Sequence, residues 1–441
     1  MGIERKRLSQ LFFPIFFEIL FSMLTGVADT LMLSSQGDQA VGAVSTANTY
    51  MNVFIVLFAI VSSGMVAVMT QYIGARRPGV AHQALRLGLV FNLIVGLVIS
   101  ATLHFGAESI LIITGTADQL LEPAATYLKT VSLFCLCNAL TPIFSSYLRA
   151  FGHTAPTLSG TVVANVVNVG LNACFLFVMD WGIYGVALAT GISRLVNLIW
   201  VWAVSYHRIR PIREANPPEN REIFEKIIHV GLPAAMETTL YNLAMTIVIS
   251  MLNWMDETGM QATVRAYTVQ IANFPLAIGA ALAQANAIMV GWHIGAKEFG
   301  ECNRDTRKAV ILGVCLGVGT AIVFALLSHP ILRLFTDDPD IIHLVSILLI
   351  IDVVLEIGRM INLIFGMALK TSGDATYPMI VAVAVAFLCA AGGTWYFGIY
   401  MGWLAVGAYV AMALDECVRA LFMFLRWQKG YWKKENLLCR M

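Results

Sequence analysis

One carboxylic acid in this sequence lies deep inside a long apolar segment. Asp29 stands in FSMLTGVADTLML, and no basic residue lies within one helical turn of it. A charge at the centre of a bilayer costs about 2.5–3.5 kcal/mol on insertion scales, so an acid in a membrane helix predicts a functional site. Such a carboxylate could bind and release a proton, or bind Na⁺ together with other hard oxygen ligands. The alternative is a structural acid that hydrogen-bonds to a neighbouring helix.

Three asparagines interrupt a second apolar segment, TVVANVVNVGLNACFLF. They are Asn165, Asn168 and Asn172. The last two are four residues apart and therefore share one face of a helix. Their amides could converge on Asp29 as ligands for a cation or as contacts for a substrate. The alternative is that they form ordinary hydrogen bonds between membrane helices.

A second group of charges lies in LLIIDVVLEIGRMINLIFG, which places Asp352, Glu356 and Arg359 within about two helical turns. Glu356 and Arg359 are three residues apart and can form an ion pair. Asp352 is one turn from Glu356 and could stay protonated beside it. Two interpretations stay open, an internal ion pair that stabilises the helix and a second cation or substrate site. Glu237, in another apolar segment, is a further candidate for that second site.

The elements that carry these residues are predicted to be membrane helices. The sequence is 58% hydrophobic and 12% charged, against about 45–50% and about 25% in soluble domains. The 40 residues from Ala375 to Leu414 contain no charged side chain, and a spanning helix needs about 20 apolar residues. Soluble enzymes, nucleic-acid binders and disulfide-stapled secreted domains are excluded. Twelve spans are predicted, at 11–34, 44–71, 82–105, 121–148, 156–179, 183–206, 231–254, 262–292, 306–328, 341–369, 376–398 and 402–426.

The basic residues orient these helices. Of the 28 Lys and Arg residues, 22 lie at one set of helix ends, among them Arg5 and Arg440, and three lie within spans. The opposite ends carry only three and are otherwise acidic, as at Asp256 and Glu257. Because cytoplasmic loops are rich in Lys and Arg, we expect both termini in the cytoplasm. The expected location is the plasma membrane, here a bacterial inner membrane.

The two halves of the chain repeat each other. Five matches in one order, within three residues of one offset, indicate a duplication. The matches, at offsets of 219 to 222, are Pro14-x-x-x-Glu18 with Pro233-x-x-x-Glu237, Gly37-x-x-Ala40 with Gly259-x-x-Ala262, Ile73-Gly74-Ala75 with Ile294-Gly295-Ala296, Leu148-Arg149-x-x-Gly152 with Leu369-Lys370-x-x-Gly373, and Gly185-x-x-x-Ala189 with Gly407-x-x-x-Ala411.

A polar segment with three prolines, HRIRPIREANPPENRE, separates the halves. The predicted domains are an N-lobe at 1–206, a cytoplasmic linker at 207–222, a C-lobe at 223–426 and a basic cytoplasmic tail at 427–441. Six spans in each half make the repeats parallel, related by a pseudo-two-fold axis along the membrane normal. The predicted fold class is an all-α polytopic membrane protein with twelve transmembrane helices in two six-helix lobes. This arrangement suits alternating access, so transport is the leading function.

Four more charges lie in the sixth and twelfth predicted spans. Glu416 and Arg419 are three residues apart, Asp415 precedes them, and Arg194 aligns with Glu416 at an offset of 222. For all four we expect structural ion pairs.

The order of the repeated motifs resembles that of the multidrug and toxic compound extrusion (MATE) family of secondary transporters. The resemblance covers essentially the whole chain, and it includes Asp29, fifteen residues after Pro14. It implies that Asp29 is the cation-coupling residue. It also implies that Pro14 is a hinge at which the first helix bends on protonation, although proline near a helix start is also simply tolerated.

The same resemblance bears on the coupling ion. The family often has Asp where Asn172 stands, and the loss of that charge weakens the case for a Na⁺ site at Asp29, Asn168 and Asn172. In some members acids of the seventh and tenth helices bind Na⁺, which would point to Glu237 and Asp352 here.

The predicted function is that of a secondary antiporter that exports organic cationic or amphipathic compounds. Inward movement of protons, the preferred ion, or of Na⁺ would drive it. The expected partners are a small-molecule substrate and the lipid bilayer, with no cofactor, no nucleic acid and a monomeric state. The sequence contains no Gly-x-x-x-x-Gly-Lys-Ser/Thr loop and no hydrolase motif, so we expect neither direct use of ATP nor an enzyme.

Two other functions are weighed against this one. A lipid-linked-sugar flippase of the same superfamily tends to have a cationic cavity, whereas this sequence places three bases and at least five acids within its spans. A channel or a non-transporting membrane scaffold has less use for a duplicated pattern of this kind.

Overall fold

The computed structural model describes residues 6–210, 214, 216–255, 259–333, 336–434 and 436–438. Four residues used to orient the helices, Arg5, Asp256, Glu257 and Arg440, lie outside the described residues. So do positions 211–213 and 215 of the predicted linker.

Every regular element in the described part of the chain is helical, which confirms the predicted all-α membrane fold. Apolar segments form helices because a helix satisfies its own backbone hydrogen bonds inside a bilayer. The helices are α1 (Leu8–Ser34), α2 (Asp38–Gly74), α3 (Pro78–Ile113), α4a (Asp118–Ser132) and α4b (Cys135–Ala150), α5 (Ala155–Ala173, continued by a π-helix at Cys174–Val178), α6 (Gly182–Arg208), α7 (Asn220–Met255), α8 (Met260–Gly295), α9 (Phe299–Leu326, followed by a short helix at Ser328–Leu332), α10 (Pro339–Ser372), α11 (Thr376–Val385, continued by π-helices at Ala386–Ala391 and Thr394–Tyr400), and α12 (Leu404–Gln428).

Each of the twelve predicted spans corresponds to one of these helices. Ten are long and apolar enough to cross a membrane as single described helices, and the bent pair α4a–α4b makes an eleventh. The remaining helix, α12, carries Asp415, Glu416 and Arg419. Large apolar side chains lie exposed on the helix surfaces, for example Phe105 (85% exposed) and Trp254 (82%). Exposure on that scale suits contact with lipid rather than with water.

The duplication extends to the backbone. A positive φ is uncommon outside glycine, yet Arg76 and Lys297 adopt φ of 63° and 61° at positions 221 residues apart. Four further pairs with positive φ stand at offsets of 221 or 222, namely Gly37 and Gly259, Gly152 and Gly373, Asp180 and Gly402, and Gly182 and Leu404. The two halves therefore share the conformation of their turns as well as their motifs.

The chain divides into two compact units, Met1–Gly231 and Leu232–Met441, here called the first and the second unit. In the first unit α1 packs against α5, α5 against α6, and α2, α3 and α4b against one another. In the second unit α10 packs against α8, α9 and α12.

The division falls inside α7 because the start of that helix packs tightly against α2. A Cβ atom on Gly64 would overlap the carbonyl oxygen of Ile227, and one on Gly231 would overlap that of Ile60. Small residues at such crossings let two helix backbones approach closely. The first two to three turns of α7 thus belong to the first unit.

The segment before α7 is also attached to the first unit. Glu214 accepts a hydrogen bond from Arg77 Nε at 3.0 Å. Gln83 Nε2 donates to the Pro218 carbonyl oxygen at 3.0 Å and to Asn220 Oδ1 at 2.6 Å. The described part of the predicted linker therefore lies against the ends of α2 and α3.

Candidate functional site

Asp29 and two of the asparagines come together between α1 and α5. Asn172 Nδ2 donates to Asp29 Oδ1 at 2.8 Å and to Asn168 Oδ1 at 3.3 Å. Both asparagine side chains are buried, and Asp29 is half-buried. The four-residue spacing places the amides on one helical face, and the packing of α5 against α1 turns that face towards the acid.

The Asn172 side chain also has a vacant acceptor. Its Oδ1 is buried and has no hydrogen-bond partner among the described residues. Buried polar atoms are nearly always satisfied in folded proteins, so this oxygen is available to a bound water or ligand. Asn165 has a different role, because its Nδ2 donates to the Phe21 carbonyl oxygen at 3.0 Å and ties α5 to α1.

A basic residue that the sequence did not connect with Asp29 lies near it. Arg194, on α6, interacts electrostatically with Asp29 and with the hydroxyl of Tyr127. The expectation that Arg194 forms a structural ion pair is wrong for the described residues. No carboxylate pairs with it there, and its Nη1 is buried without a hydrogen-bond partner. Arg194 and Asp29 are 165 residues apart, so the spacing of residues along one helix gave no signal that they are neighbours.

Pro14 lies within α1, which continues unbroken from Leu8 to Ser34. A proline inside a helix leaves the carbonyl four residues earlier without its helical partner. Here that carbonyl belongs to Gln10, and Thr154 Oγ1 donates to it across a long 3.5 Å hydrogen bond. The role of Pro14 as a hinge stays a prediction.

The second unit brings five charged residues of α10 and α12 into one buried network. The expected ion pair between Glu356 and Arg359 is present. Arg359 Nε also lies 3.8 Å from Glu416 Oε1. Arg419 Nη2 donates to Glu416 Oε1 at 2.9 Å and pairs with Asp415. The spacing of three and four residues along each helix accounts for the pairs within a helix, and helix packing adds the link between them.

Neutral side chains complete this network. Asn362 Nδ2 donates to Glu416 Oε2 at 3.0 Å. The guanidinium of Arg419 lies 4.7 Å from the centre of the Tyr241 ring, at cation–π distance. Neither Asn362 nor Tyr241 was singled out by sequence reasoning, since neither is charged.

Asp352 stands apart from these pairs. It is 2% exposed and has no ion pair among the described residues, and its Oδ1 lacks a hydrogen-bond partner there. With Asp352, the described network holds four acids and two bases. An excess of acids in a low-dielectric interior favours the binding of a proton or another cation.

Glu237 and its counterpart Glu18 are both ion-paired. Glu18 accepts from Arg149 Nη2 at 2.7 Å and from Thr157 Oγ1 at 2.7 Å. Glu237 accepts from Lys370 Nζ at 2.8 Å, while its Oε2 is buried without a partner in the described structure. Both side chains are mostly buried, at 14% and 20% exposure. Each unit thus joins its first helix to the end of its fourth by one ion pair.

One further group has the geometry for a metal ion. Ligand atoms of His293, Glu298 and Glu301 lie within 4.8 Å of one another. His293 Nδ1 lies 3.0 Å from Glu298 Oε2, and its Nε2 lies 3.5 Å from Asp305 Oδ2. Two carboxylates on one imidazole explain the group as an ion-pair cluster at the start of α9.

Comparisons with known proteins agree with this architecture. The MatE family model matches residues 14–174 and 233–395. An uncharacterized transporter, YisQ, of Bacillus subtilis is 31% identical over 437 residues, which are 98% of this chain and 95% of that protein. A probable multidrug resistance protein NorM of Thermotoga maritima is 24% identical, over 99% of this chain and 95% of that protein.

The fold is also found among solved structures. An outward-facing multidrug resistance MATE family transporter of the MOP superfamily superposes with a TM-score of 0.89 at 19% identity, covering 97% of this chain and 96% of that one. Because the family model matches both repeats, and the Bacillus subtilis relative matches nearly the whole chain, this protein belongs to the MatE family of membrane transporters.

Proposed function

We propose that this transporter is a secondary antiporter that exports organic cationic or amphipathic compounds in exchange for protons. The observation that carries the proposal is the hydrogen bond between Asn172 and Asp29, which holds an ionisable group between two helices of one unit. The substrate class is supported by the name of the Thermotoga maritima relative as a multidrug resistance protein.

The contacts of Asp29 favour a proton over Na⁺ as the coupling ion. Asn172 presents its NH₂ group to the carboxylate and shares that group with Asn168. A Na⁺ ion needs oxygen ligands, so Asn172 would have to rotate its amide and lose both hydrogen bonds. A proton needs no ligand beyond Asp29 itself.

The energy available to such a carrier is sufficient for export. Each net positive charge that enters gains about 2.3 kcal/mol per 100 mV of membrane potential, which supports a roughly fifty-fold gradient of an uncharged substrate. Exchange of one proton for one monovalent cation moves no net charge and is driven by the pH gradient. The carrier must bind the proton with different affinity in its two states, because a ligand with equal affinity for both shifts no equilibrium. Protonation of Asp29 removes the charge that accepts from Asn172, and it thereby changes the contact between α1 and α5.

In the second unit we assign a cation or substrate role to Asp352 in preference to Glu237. Asp352 is buried without an ion pair in the described structure, whereas Glu237 is paired with Lys370. Glu356 and Arg359 stabilise the α10–α12 contact and keep Asp352 in place.

We further propose a monomer with cytoplasmic termini in a bacterial plasma membrane. A monomer suffices because each unit contains its own buried polar cluster. Cysteines introduced into a cysteine-free variant test the orientation. Those at Gly37, Asp118 or Asp338 should react with an impermeant thiol reagent from outside the cell, and those at Arg77 or Lys433 should not. The reverse labelling pattern would overturn the direction of export.

Transport in proteoliposomes tests the antiport. A fluorescent cationic dye should leave its compartment when a pH gradient is imposed without Na⁺. A Na⁺ gradient at equal pH should produce little movement. Transport with Na⁺ alone would overturn proton coupling, and dye movement that requires ATP would overturn the antiport itself.

A further inference from the structure

A cavity of about 490 Å³ lies at one end of the first unit, between the start of α5, the end of α6 and the residues that precede α1. Its volume is in the range of small-ligand sites. Four of its lining side chains are basic or can become so, and none is acidic. The polar and aromatic lining residues are Lys6, His153, Ser159, Trp200, His207 and Arg208.

Among the described residues, no carboxylate forms an ion pair with Lys6, His153 or Arg208. Burial and the positive charges of Lys6 and Arg208 lower the pKa of His153, because both charges act on the imidazole. Two other bases at helix ends do have acidic partners, Arg149 with Glu18 and Lys370 with Glu237.

In the second unit, an ion pair occupies the position that corresponds to this cavity. His153 follows Gly152 as Asp374 follows Gly373 in the matched motif. Asp374 Oδ2 accepts from Arg426 Nε, in the last helix of that unit, at 2.7 Å. The Arg426 guanidinium also lies over the rings of Tyr377 and Tyr431, at 4.6 and 3.9 Å. With histidine in place of the acid, Arg208 has no acidic partner among the described residues, so its charge is available to an outside anion.

The walls of the cavity suit a lipid more than a free anion. The other lining residues are alanine, proline and valine, and Trp200 Nε1 donates to Ser159 Oγ at 3.1 Å. Trp200 precedes Arg208 by eight residues, or about 12 Å along the helix. Tryptophan is enriched where membrane helices meet the headgroup layer, and basic pockets between helices bind anionic headgroups.

We propose that this cavity binds an anionic phospholipid, with the headgroup phosphate between Lys6, His153 and Arg208 and an acyl chain along Trp200. Because the pair of Asp374 and Arg426 occupies the corresponding place in the second unit, the lipid site belongs to the first unit alone. It is separate from Asp29 and its asparagines.

Native mass spectrometry of the full chain in neutral detergent tests the site. Phosphatidylglycerol should be retained in preference to phosphatidylcholine with the same acyl chains. The double variant Lys6→Gln/Arg208→Gln should weaken retention of phosphatidylglycerol by about tenfold or more and leave phosphatidylcholine unchanged. The matched control, Lys297→Gln/Lys429→Gln, removes the same charge at exposed positions outside the cavity and should retain the lipid as the unaltered protein does.

A second variant tests the comparison between the units. His153→Asp introduces the acid of the second unit, which should pair with Arg208 and lower phosphatidylglycerol retention while the melting temperature stays unchanged. Equal retention in the Lys6→Gln/Arg208→Gln variant and its control would overturn the proposal. Displacement of the lipid by millimolar inorganic phosphate would also overturn it, because the cavity would then be a site for the free anion.

Discussion

The first unit carries its membrane acid on α1, with amide partners on α5, whereas the second unit carries acids on α10 and α12. At the repeat offset of 221, Asp352 and Glu356 stand where the first unit has Val131 and Cys135. The two units share the conformation of their turns and an ion pair at the end of the fourth helix, and still place their other buried acids on different helices. The same duplicated backbone therefore carries a different set of buried acids in each unit.

The helices that carry these charges also differ. The fourth helix of the first unit is broken between α4a and α4b, with a bend of 47°. Its counterpart α10 runs unbroken from Pro339 to Ser372. In α10 the pair of Glu356 and Arg359 lies directly after the position that corresponds to the break, and pairs of this spacing support a helix. Most acids of α10 and α12 are held in ion pairs. In the first unit, Asp29 can change its charge without breaking an ion pair of the described structure.

The largest effect that follows from this difference is expected for Asp29→Asn. Asparagine has nearly the same shape but cannot release a proton, so the variant should fold and insert normally. Proton-driven dye efflux in proteoliposomes should fall at least tenfold, because the first unit then has no group to titrate beside Asn172. Asp352→Asn is the matched control and should lose less. Full gradient-driven transport by purified Asp29→Asn protein would contradict the assignment, and a greater loss in Asp352→Asn would move the coupling to the second unit.

The next effect concerns stability and compares two arginines. Arg359→Gln leaves Glu356 buried without its partner and should lower the free energy of unfolding by about 3–5 kcal/mol. Arg194→Gln breaks no described ion pair and should cost far less. Denaturation in detergent measures both. The double variant Glu356→Gln/Arg359→Gln should recover much of the loss, and equal losses for Arg359→Gln and Arg194→Gln would contradict the comparison.

A smaller difference is expected between the two ion pairs at the helix ends. Glu18 accepts two hydrogen bonds, from Arg149 and Thr157, whereas Glu237 accepts one in the described structure, from Lys370, and has an unpaired buried oxygen. Glu18→Gln should therefore cost about 2 kcal/mol and Glu237→Gln about half as much. Thermal unfolding in detergent checks the order. A larger loss for Glu237→Gln would show that the second oxygen is satisfied in the membrane.

The smallest stability effect is expected for Pro14→Ala. The substitution restores a helical hydrogen bond to Gln10, whose carbonyl now has only the long bond from Thr154. We expect a gain of up to about 1 kcal/mol and slower transport, because α1 bends less readily. Pro233→Ala, at the matched position, should leave the transport rate nearly unchanged. Equal slowing by both substitutions would contradict a hinge confined to the first unit.

Spacing along a single helix was enough to predict several contacts from the sequence. Asn168 with Asn172, Glu356 with Arg359, and Glu416 with Arg419 are three or four residues apart, and each pair is in contact. Hydropathy located every membrane helix but not every helix end. The seventh span was predicted at 231–254, whereas α7 begins at Asn220, because its first turns are polar and lie against the first unit instead of lipid.

The sequence by itself determined the twelve helices, the duplication and the pairs within one helix, because periodicity and apolar length are local properties of the chain. Only the tertiary structure decided which distant side chains meet. Arg194 acts on Asp29, Arg149 pairs with Glu18, and these partners are more than 100 residues apart. Such contacts depend on how each helix is rotated about its axis and how its neighbours pack against it. Composition and spacing leave that rotation open, since the apolar faces of a membrane helix are chemically alike.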